Sequence, residues 1–134
     1  MLLFLRALFL VVLASMLNVT SWASLQCPLF AIPRDVATHP WFVATLFDAY
    51  WGFLTFFVWV AYKQIAWSAR VAWCIAMLLL GNIAMAAYCL NELFHARTVA
   101  ELPQILTRRH DGKSWLGLAL TCLGLVVIGG ALSA

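Results

Sequence analysis

Long apolar runs separated by short polar segments dominate the chain. The runs cover about residues 2–23, 41–62, 71–94 and 115–133. In a helix rising 1.5 Å per residue, a run of about twenty residues matches the ~30 Å hydrocarbon core of a bilayer. These runs are apolar on every side rather than along one stripe, which is typical of helices surrounded by lipid. The pattern therefore predicts an all-α membrane protein with three to four transmembrane helices, forming one integral membrane domain over residues 1–134.

The polar segments between the runs predict how the helices connect. Only residues 63–70 separate the second run from the third, so spans two and three should form an antiparallel hairpin. Pro40 suits the first turn of the second span, where its missing N–H loses no hydrogen bond. Apolar and polar residues alternate weakly in the polar segment 95–114, which indicates a short interfacial helix with Pro103 in its first turn.

The first apolar run has two interpretations. Arg6 could be a minimal basic region, and Ser21 and Ala23 resemble a signal-peptidase site, so the run could be a cleaved signal. Against this, the run is long enough to span, and Trp22 suits an interfacial anchor. The sequence favours a retained helix and leaves the signal as the alternative.

Composition supports a membrane location and excludes several function classes. Apolar residues make up 66% of the chain and charged residues only 10%, far from the averages of soluble domains. The basic residues are scattered and form no stripe, so nucleic acid is not an expected partner. The four cysteines lack metal-ligand spacing. We expect a multi-pass protein of the bacterial cytoplasmic membrane without a metal or cofactor.

The charge distribution gives a weak prediction of orientation. If four helices cross the membrane, one side holds Arg6, Lys63 and Arg70, and the other side holds the remaining five basic residues. Because basic residues collect on the cytoplasmic side, this count favours an N-terminus outside.

Asp48 is the only acidic residue in the second run. A carboxylate at such a depth costs about 2.5–3.5 kcal/mol on insertion scales, so it usually faces a partner helix, a cavity or a substrate path. Helical spacing puts it on one stripe with small and polar neighbours. The small and polar part of the stripe consists of Thr45, Asp48, Gly52 and Thr55, and Trp59 continues it towards the end of the span.

The antiparallel hairpin places possible partners opposite Asp48. If the chain turns near residues 66 and 67, Asn82 and Tyr88 lie within a turn of its level, and either side chain can hydrogen-bond a carboxyl group. Gly52 and Gly81 would then let the helices approach closely, as Gly117 and Gly124 would on the fourth span. We therefore predict an intramembrane polar cluster of Thr45, Asp48, Thr55, Asn82 and Tyr88.

Three stretches of the chain resemble a small family of uncharacterised membrane proteins of bacteria and plants. They are HPWFVATLFDAYWGFLTFFVWVAYK, which contains the second span, then LLLGNIAMAAYCLNELF and LPQILTRR. The resemblance covers about residues 35–109, including Asp48 and the closing pair Arg108 and Arg109. It implies no reaction, and it implies that residues 115–134 extend a three-span core.

The sequence favours a structural, assembly or accessory subunit over an enzyme, with the lipid bilayer and a homodimer or larger membrane complex as partners. The alternative is a dimeric proton-coupled transporter of small hydrophobic cations, in which Asp48 binds the proton. A membrane enzyme is the third hypothesis. It lacks a second acid in the membrane, since only Glu92, near the interface, could supply one.

Overall fold

The computed structural model describes residues 1–112 and 114–133, with the exception of the Ser133 side chain, and all the regular elements in these residues are helices. The helices are α1 (Leu2–Gln26), α2 (Arg34–Ala37), α3 (Pro40–Lys63), α4 (Trp67–Leu80), α5 (Asn82–His95), α6 (Leu102–Thr107) and α7 (Trp115–Ser133). Short 3₁₀ turns occupy Leu29–Ala31 and Val99–Glu101. Three helices, α1, α3 and α7, are long and apolar enough to cross a membrane. The predicted all-α membrane fold is confirmed.

The third apolar run differs from the continuous span expected over residues 71–94. Gly81 divides it into α4 and α5, and its backbone has φ 52° and ψ −124°. This is a left-handed conformation that suits glycine because a side chain would clash there. An ideal Cβ at Gly81 would also lie 2.6 Å from Cζ of Phe53. The sequence therefore places a sharp turn where hydropathy alone indicates an unbroken helix.

The chain reverses direction at Gly81. Trp73 of α4 and Tyr88 of α5 have ring centroids 4.8 Å apart, although an unbroken helix would separate these positions by about 22 Å. Each arm has 14 residues, or about 21 Å, which is less than the ~30 Å hydrocarbon core. Helices α4 and α5 therefore form a helical hairpin whose two open ends lie on the same side of the molecule.

This α4–α5 hairpin is the centre of the fold. Helix α1 packs along α5, α7 packs along α4, and α3 contacts both arms, while no comparable packing joins α1, α3 and α7 to one another in the described part of the chain. The buried core therefore lies around the hairpin. It consists of Val60, Trp73, Ala76, Met77, Ala84 and Tyr88. Edge-to-face aromatic pairs contribute about 0.5–1.5 kcal/mol each to stability beyond their burial. In lipid the hydrophobic effect contributes little to helix association, so such pairs account for a larger share of the packing energy there.

Helix ends collect on one side of the molecule, which we call the proximal end. Arg6, near the start of α1, hydrogen-bonds the carbonyl oxygens of Leu93 and Ala96 at the end of α5. At the start of α7, Thr121 donates to the carbonyl oxygen of Ala72 in α4. The start of α1, α4 and α7 and the end of α3 and α5 therefore lie together. The opposite, distal end holds the α1–α3 connection and the end of α7.

The distal half is sparsely packed because the hairpin does not reach it. Phe53 of α3 is level with the hairpin turn, since it lies against Gly81. Residues 40–52 of α3 extend beyond that level, and only Phe42 and Ala49 among them are partly buried. Much of α3 is therefore open to lipid or to another helix.

Candidate functional site

A buried ion pair at the proximal end is the densest polar site in the described part of the chain. Lys63 is the last residue of α3 and Glu92 lies in the last turn of α5, with side-chain exposures of 0% and 3%. The Lys63 Nζ donates to Glu92 Oε2 and to the carbonyl oxygen of Ile105. It also lies 4.8 Å from the ring centroid of Trp59 and 5.7 Å from that of Tyr88. The ammonium is thus surrounded by acceptors and aromatic faces.

The ion pair joins three separate parts of the chain. It connects α3 to α5 through the carboxylate and to α6 through the Ile105 carbonyl. Removing two charges from water is costly, and their attraction offsets that cost only when the remaining donors find partners. Here the ammonium donates to two acceptors and faces two rings, which meets that condition. A nearby side-chain contact supports the arrangement, since the indole Nε1–H of Trp59 donates to the carbonyl oxygen of Leu106 at 3.0 Å.

His110 completes the site from the segment that precedes α7. Its backbone N–H donates to the carbonyl oxygen of Lys63 at 2.8 Å, and its carbonyl oxygen accepts from Ile65 N–H at 3.0 Å. Its ring Nε2 lies 2.8 Å from Glu92 Oε1. The two atoms are close but lack hydrogen-bond alignment, and neither has a hydrogen-bond partner among the described residues. We describe the pair as an ion contact rather than a hydrogen bond.

An open cleft of about 460 Å³ lies beside this ion pair. Its walls combine aromatic, amide, carboxylate and imidazole groups, a mixture that can hold a polar ligand with an apolar face. They include Gln64, Trp73, Tyr88, Asn91, Glu92, His95, His110, Asp111, Gly112, Ser114, Trp115 and Leu116. Within residues 1–112 and 114–133, no group of three His, Cys, Asp or Glu side chains could hold a metal ion. The site offers side chains that donate and accept hydrogen bonds.

Asp48 lies far from this site, on an exposed face of α3. Thr45 and Thr55, its neighbours on the predicted stripe, donate to the carbonyl oxygens of Trp41 and Trp51 in their own helix. No atom lies within 4 Å of the position that a Cβ on Gly52 would take. The stripe is thus present on α3, but within the described chain it faces no other helix.

The predicted partners of Asp48 are elsewhere. Asn82 is exposed at the hairpin turn, and Tyr88 is buried, where its hydroxyl accepts from Gln64 Nε2 at 3.4 Å. Neither forms a hydrogen bond with Asp48 among the described residues. The reason is the reversal at Gly81, which stops the hairpin below the level of Asp48 and carries Tyr88 back to the proximal end. The five residues of the predicted cluster therefore do not meet.

Two glycines of α7, Gly117 and Gly124, lie against α4. An ideal Cβ on Gly117 would be 3.0 Å from Nε1 of Trp73, and one on Gly124 would be 2.9 Å from Cβ of Leu79. Small residues at these positions let the two helices approach closely. Trp73 in turn donates to the Ser114 hydroxyl at 2.9 Å, at the start of α7.

Sequence reasoning missed the ion pair because it treated its members separately. At the level of the sequence, Lys63 counts only as a basic residue for orientation, and Glu92 only as a possible second acid near the interface. An available signal was that each lies within an otherwise apolar stretch, at the end of a helix, and that their charges are opposite. His110 carries no such signal, since its position depends on the path of the loop.

A family model described as "Protein of unknown function (DUF1475)" matches residues 2–128. The match agrees with the resemblance that the second and third apolar runs indicate, but it is wider than residues 35–109. It includes all of α1 and most of α7, so these helices belong to the unit that the family shares. No curated protein matches the chain, and no solved structure matches it.

Proposed function

Because the chain belongs to the DUF1475 family of proteins of unknown function, we propose a function from its geometry: it is an accessory or assembly subunit that a partner's transmembrane helix joins at α3. The observation that carries this proposal is the exposure of Asp48 inside a long apolar helix. Asp48 lies eight residues after Pro40, or about 12 Å along the axis. A carboxylate at that depth against lipid costs about 2.5–3.5 kcal/mol, which a partner helix removes.

The neighbours of Asp48 support a helix rather than a small ligand as the occupant. Thr45, Gly52 and Thr55 are all small and exposed on the same stripe, and both threonine hydroxyls already bond their own helix. Small residues let two helix backbones approach closely, which strengthens van der Waals contact in lipid. The stripe therefore suits a tightly packed helix with one polar group at the level of Asp48.

Charge selects the kind of partner. A basic or hydrogen-bond-donating side chain would satisfy Asp48, since a carboxylate only accepts hydrogen bonds. A second copy packed in parallel would bring two carboxylates together, and like charges repel strongly where the dielectric constant is low. We therefore propose an unlike partner whose membrane helix carries Lys, Arg, Asn or Gln.

The alternative of a proton-coupled transporter has less support. Transport through Asp48 needs the carboxylate to border a cavity that a substrate can enter. Asp48 lines neither the 460 Å³ cleft nor the smaller pocket beside α6. The exposed stripe instead favours assembly.

Photo-crosslinking from α3 tests the proposal in the membranes where the protein is naturally made. A photoreactive residue at Thr45 should give a discrete adduct with another membrane protein. The same residue at Leu46, which is exposed at nearly the same depth but turned about 100° away, should give little. Asp48→Leu should abolish the Thr45 adduct.

Equal crosslinking from Thr45 and Leu46 would contradict the proposal, as would adducts that survive Asp48→Leu. A Thr45 adduct with twice the mass of the chain would identify a homodimer and reject the unlike partner. Asp48→Asn serves as the matched variant, because an amide keeps hydrogen bonding but loses the charge. It should retain the adduct at reduced yield.

A further inference from the structure

Two buried polar atoms in the cleft keep unused bonding capacity. Glu92 and His110 both line it, and Glu92 Oε1 and His110 Nε2 lie 2.8 Å apart without hydrogen-bond alignment. The other carboxylate oxygen, Oε2, is occupied by Lys63. Leaving a buried acceptor unbonded costs about 1–3 kcal/mol, more for a charged group. Neither atom is exposed as the side chains stand, so a ligand that bonds both would need a rotation of the partly exposed His110 ring, and it would then recover part of that free energy.

Neutral hydroxyl groups fit these two atoms better than charged groups do. A hydroxyl can donate to the carboxylate oxygen and also accept a hydrogen bond, so one group or two adjacent ones can serve Glu92 and His110 together. A ligand ammonium at Oε1 would approach the Lys63 ammonium on the same carboxylate. An anion would be repelled by Glu92 and by Asp111 on the rim. The pair therefore favours a hydroxylated ligand.

The walls of the cleft suit the rest of such a ligand. Trp73, Tyr88 and Trp115 provide aromatic surface for its C–H groups, and the Asn91 amide and Ser114 hydroxyl provide further hydrogen bonds. Trp115 is exposed at the start of α7, as is typical of tryptophan at a membrane interface. The cleft thus lies at the depth of lipid headgroups.

Two arginines that do not line the cleft but are bonded to, or adjacent to, residues of its wall add a preference for a phosphate near its edge. Arg70 donates to the carbonyl oxygen of Gln64, which lines the cleft, and Arg109, next to His110, donates to the carbonyl oxygen of Tyr62. Neither forms an ion pair within the described residues. Guanidinium groups bind phosphate well because their planar donors match its oxygens.

We propose that this cleft binds the polyhydroxylated headgroup of an anionic phospholipid of the glycerol or inositol class. The hydroxyls contact Glu92 and His110, and the phosphodiester lies near Arg70 and Arg109. This proposal is independent of the partner helix at Asp48, which lies on α3 beyond the hairpin. Failure of one leaves the other intact.

Two lipids of equal charge test the proposal with the purified full-length chain in detergent. Phosphatidylglycerol carries two headgroup hydroxyls, and phosphatidylpropanol carries none. Native mass spectrometry should show phosphatidylglycerol bound at least about tenfold more tightly, the usual effect of a hydrogen bond to a charged group. Equal binding of the two lipids would overturn the proposal.

Single-residue variants test which side chains cause the preference for phosphatidylglycerol. His110→Leu should remove most of the preference for phosphatidylglycerol while leaving phosphatidylpropanol binding unchanged. Glu101→Gln is the matched control, because Glu101 is an acid of the same segment that does not line this cleft, and it should keep the full preference. A His110→Leu protein that melts normally and still prefers phosphatidylglycerol over phosphatidylpropanol would overturn the proposal. If that variant fails to fold, the comparison of the two lipids on the unaltered chain tests the proposal instead.

Competition distinguishes a lipid from a soluble source of the same chemistry. Glycerophosphoglycerol and myo-inositol carry the hydroxyls without acyl chains. Weak competition, about tenfold or more below the lipid, supports a lipid headgroup. Competition as strong as that of the lipid itself would overturn the lipid assignment in favour of a free polyol.

Discussion

Trp73 and Tyr88 stack edge to face with their ring centroids 4.8 Å apart, although they belong to one apolar run of the sequence. The contact is possible only because the chain reverses at Gly81. The run therefore reverses instead of crossing, and α1, α3 and α7 are left as the three helices that are long and apolar enough to cross a membrane. An odd number of crossings puts the two ends of the described chain on opposite sides of the membrane.

This topology changes the expected orientation. Only Arg34 remains among the basic residues of the distal end, whereas six described basic residues lie at or near the proximal end. The six are Arg6, Lys63, Arg70, Arg97, Arg108 and Arg109. Basic residues collect on the cytoplasmic side, so we predict that the start of α1 is cytoplasmic, the reverse of what four crossings favour.

Reporter fusions check this orientation. A reporter active only outside the cytoplasm should work when fused after Ala31 or after Leu132, and should be silent after Ala66. A reporter active only inside should show the opposite pattern. Activity outside the cytoplasm at Ala66 would contradict the prediction, and activity on the same side at Ala31 and Ala66 would contradict α3 as a crossing helix.

The buried ion pair predicts strong coupling between its members. Lys63→Met leaves Glu92 as an uncompensated buried charge, and Glu92→Leu does the same to Lys63, so each should destabilise the fold by about 3–5 kcal/mol. The double variant should recover most of that loss, since apolar replacements of both charges often cost little. Unfolding of the four proteins in detergent measures the coupling. Arg34→Met, at an exposed cation of α2, is the control and should change stability by less than about 0.5 kcal/mol. Simple additivity of the two single variants would contradict the prediction.

Gly81 should tolerate substitution poorly. Alanine there must adopt φ 52° and would place its Cβ 2.6 Å from the Phe53 ring, so Gly81→Ala should lose about 1–3 kcal/mol through backbone strain, with the clash in addition. Gly81→Ala combined with Phe53→Leu should relieve the clash but retain the strain. Gly52→Ala is the matched control, because it lies inside α3 with no neighbour within 4 Å, and it should be neutral or slightly stabilising. Equal effects at the two glycines would show that the turn does not depend on Gly81.

The sequence predicted the elements that depend on local pattern and missed those that depend on chain path. Apolar length is enough to find α1, α3 and α7, and Pro40 marks the start of α3 because its ring favours the first helical turn. Hydropathy cannot show a reversal, since both arms of the hairpin are apolar. Only the backbone preference of Gly81 indicates it, and a glycine within a membrane helix is more often a packing residue.

The polar cluster around Asp48 was predicted from an assumed register. That register supposes two full-length antiparallel spans, so it places Tyr88 near Asp48. With a short hairpin, Tyr88 returns to the proximal end, beside Lys63. The Glu92–His110 contact was out of reach for a different reason, because the loop that carries His110 has no periodic pattern to fix its position.

Acid should weaken the turn that leads into α6. The pKa of Glu101 is held below its usual value, first because the Arg97 backbone N–H donates to its carboxylate at 2.9 Å, and then because the Thr98 hydroxyl does so. A lowered folded pKa means that this stability is fully present above the unfolded value of about 4.3 and is lost as the pH falls through the folded pKa. Hydrogen exchange at the Arg97 amide should therefore be slower in the unaltered chain than in Glu101→Gln at pH 6. The difference should vanish near pH 2, and a difference that persists there would contradict the assignment.

Arg6 predicts that α1 stays in the mature protein. Its guanidinium donates to the carbonyl oxygens of Leu93 and Ala96 at the end of α5, where a cation is also favoured by the helix dipole. Cleavage near Ala23 would remove this bond together with the whole α1–α5 packing face, exposing the buried side of α5. The intact mass of protein purified from its membrane should therefore include residues 2–26, and a mass that corresponds to a chain starting near Ser24 would contradict a retained helix.

Arg6→Leu should lower the free energy of unfolding by about 1.5–3 kcal/mol, the usual contribution of hydrogen bonds from a charged group. Arg6→Lys keeps the charge but not the paired donors, so its free energy of unfolding should lie between those of the unaltered chain and of Arg6→Leu.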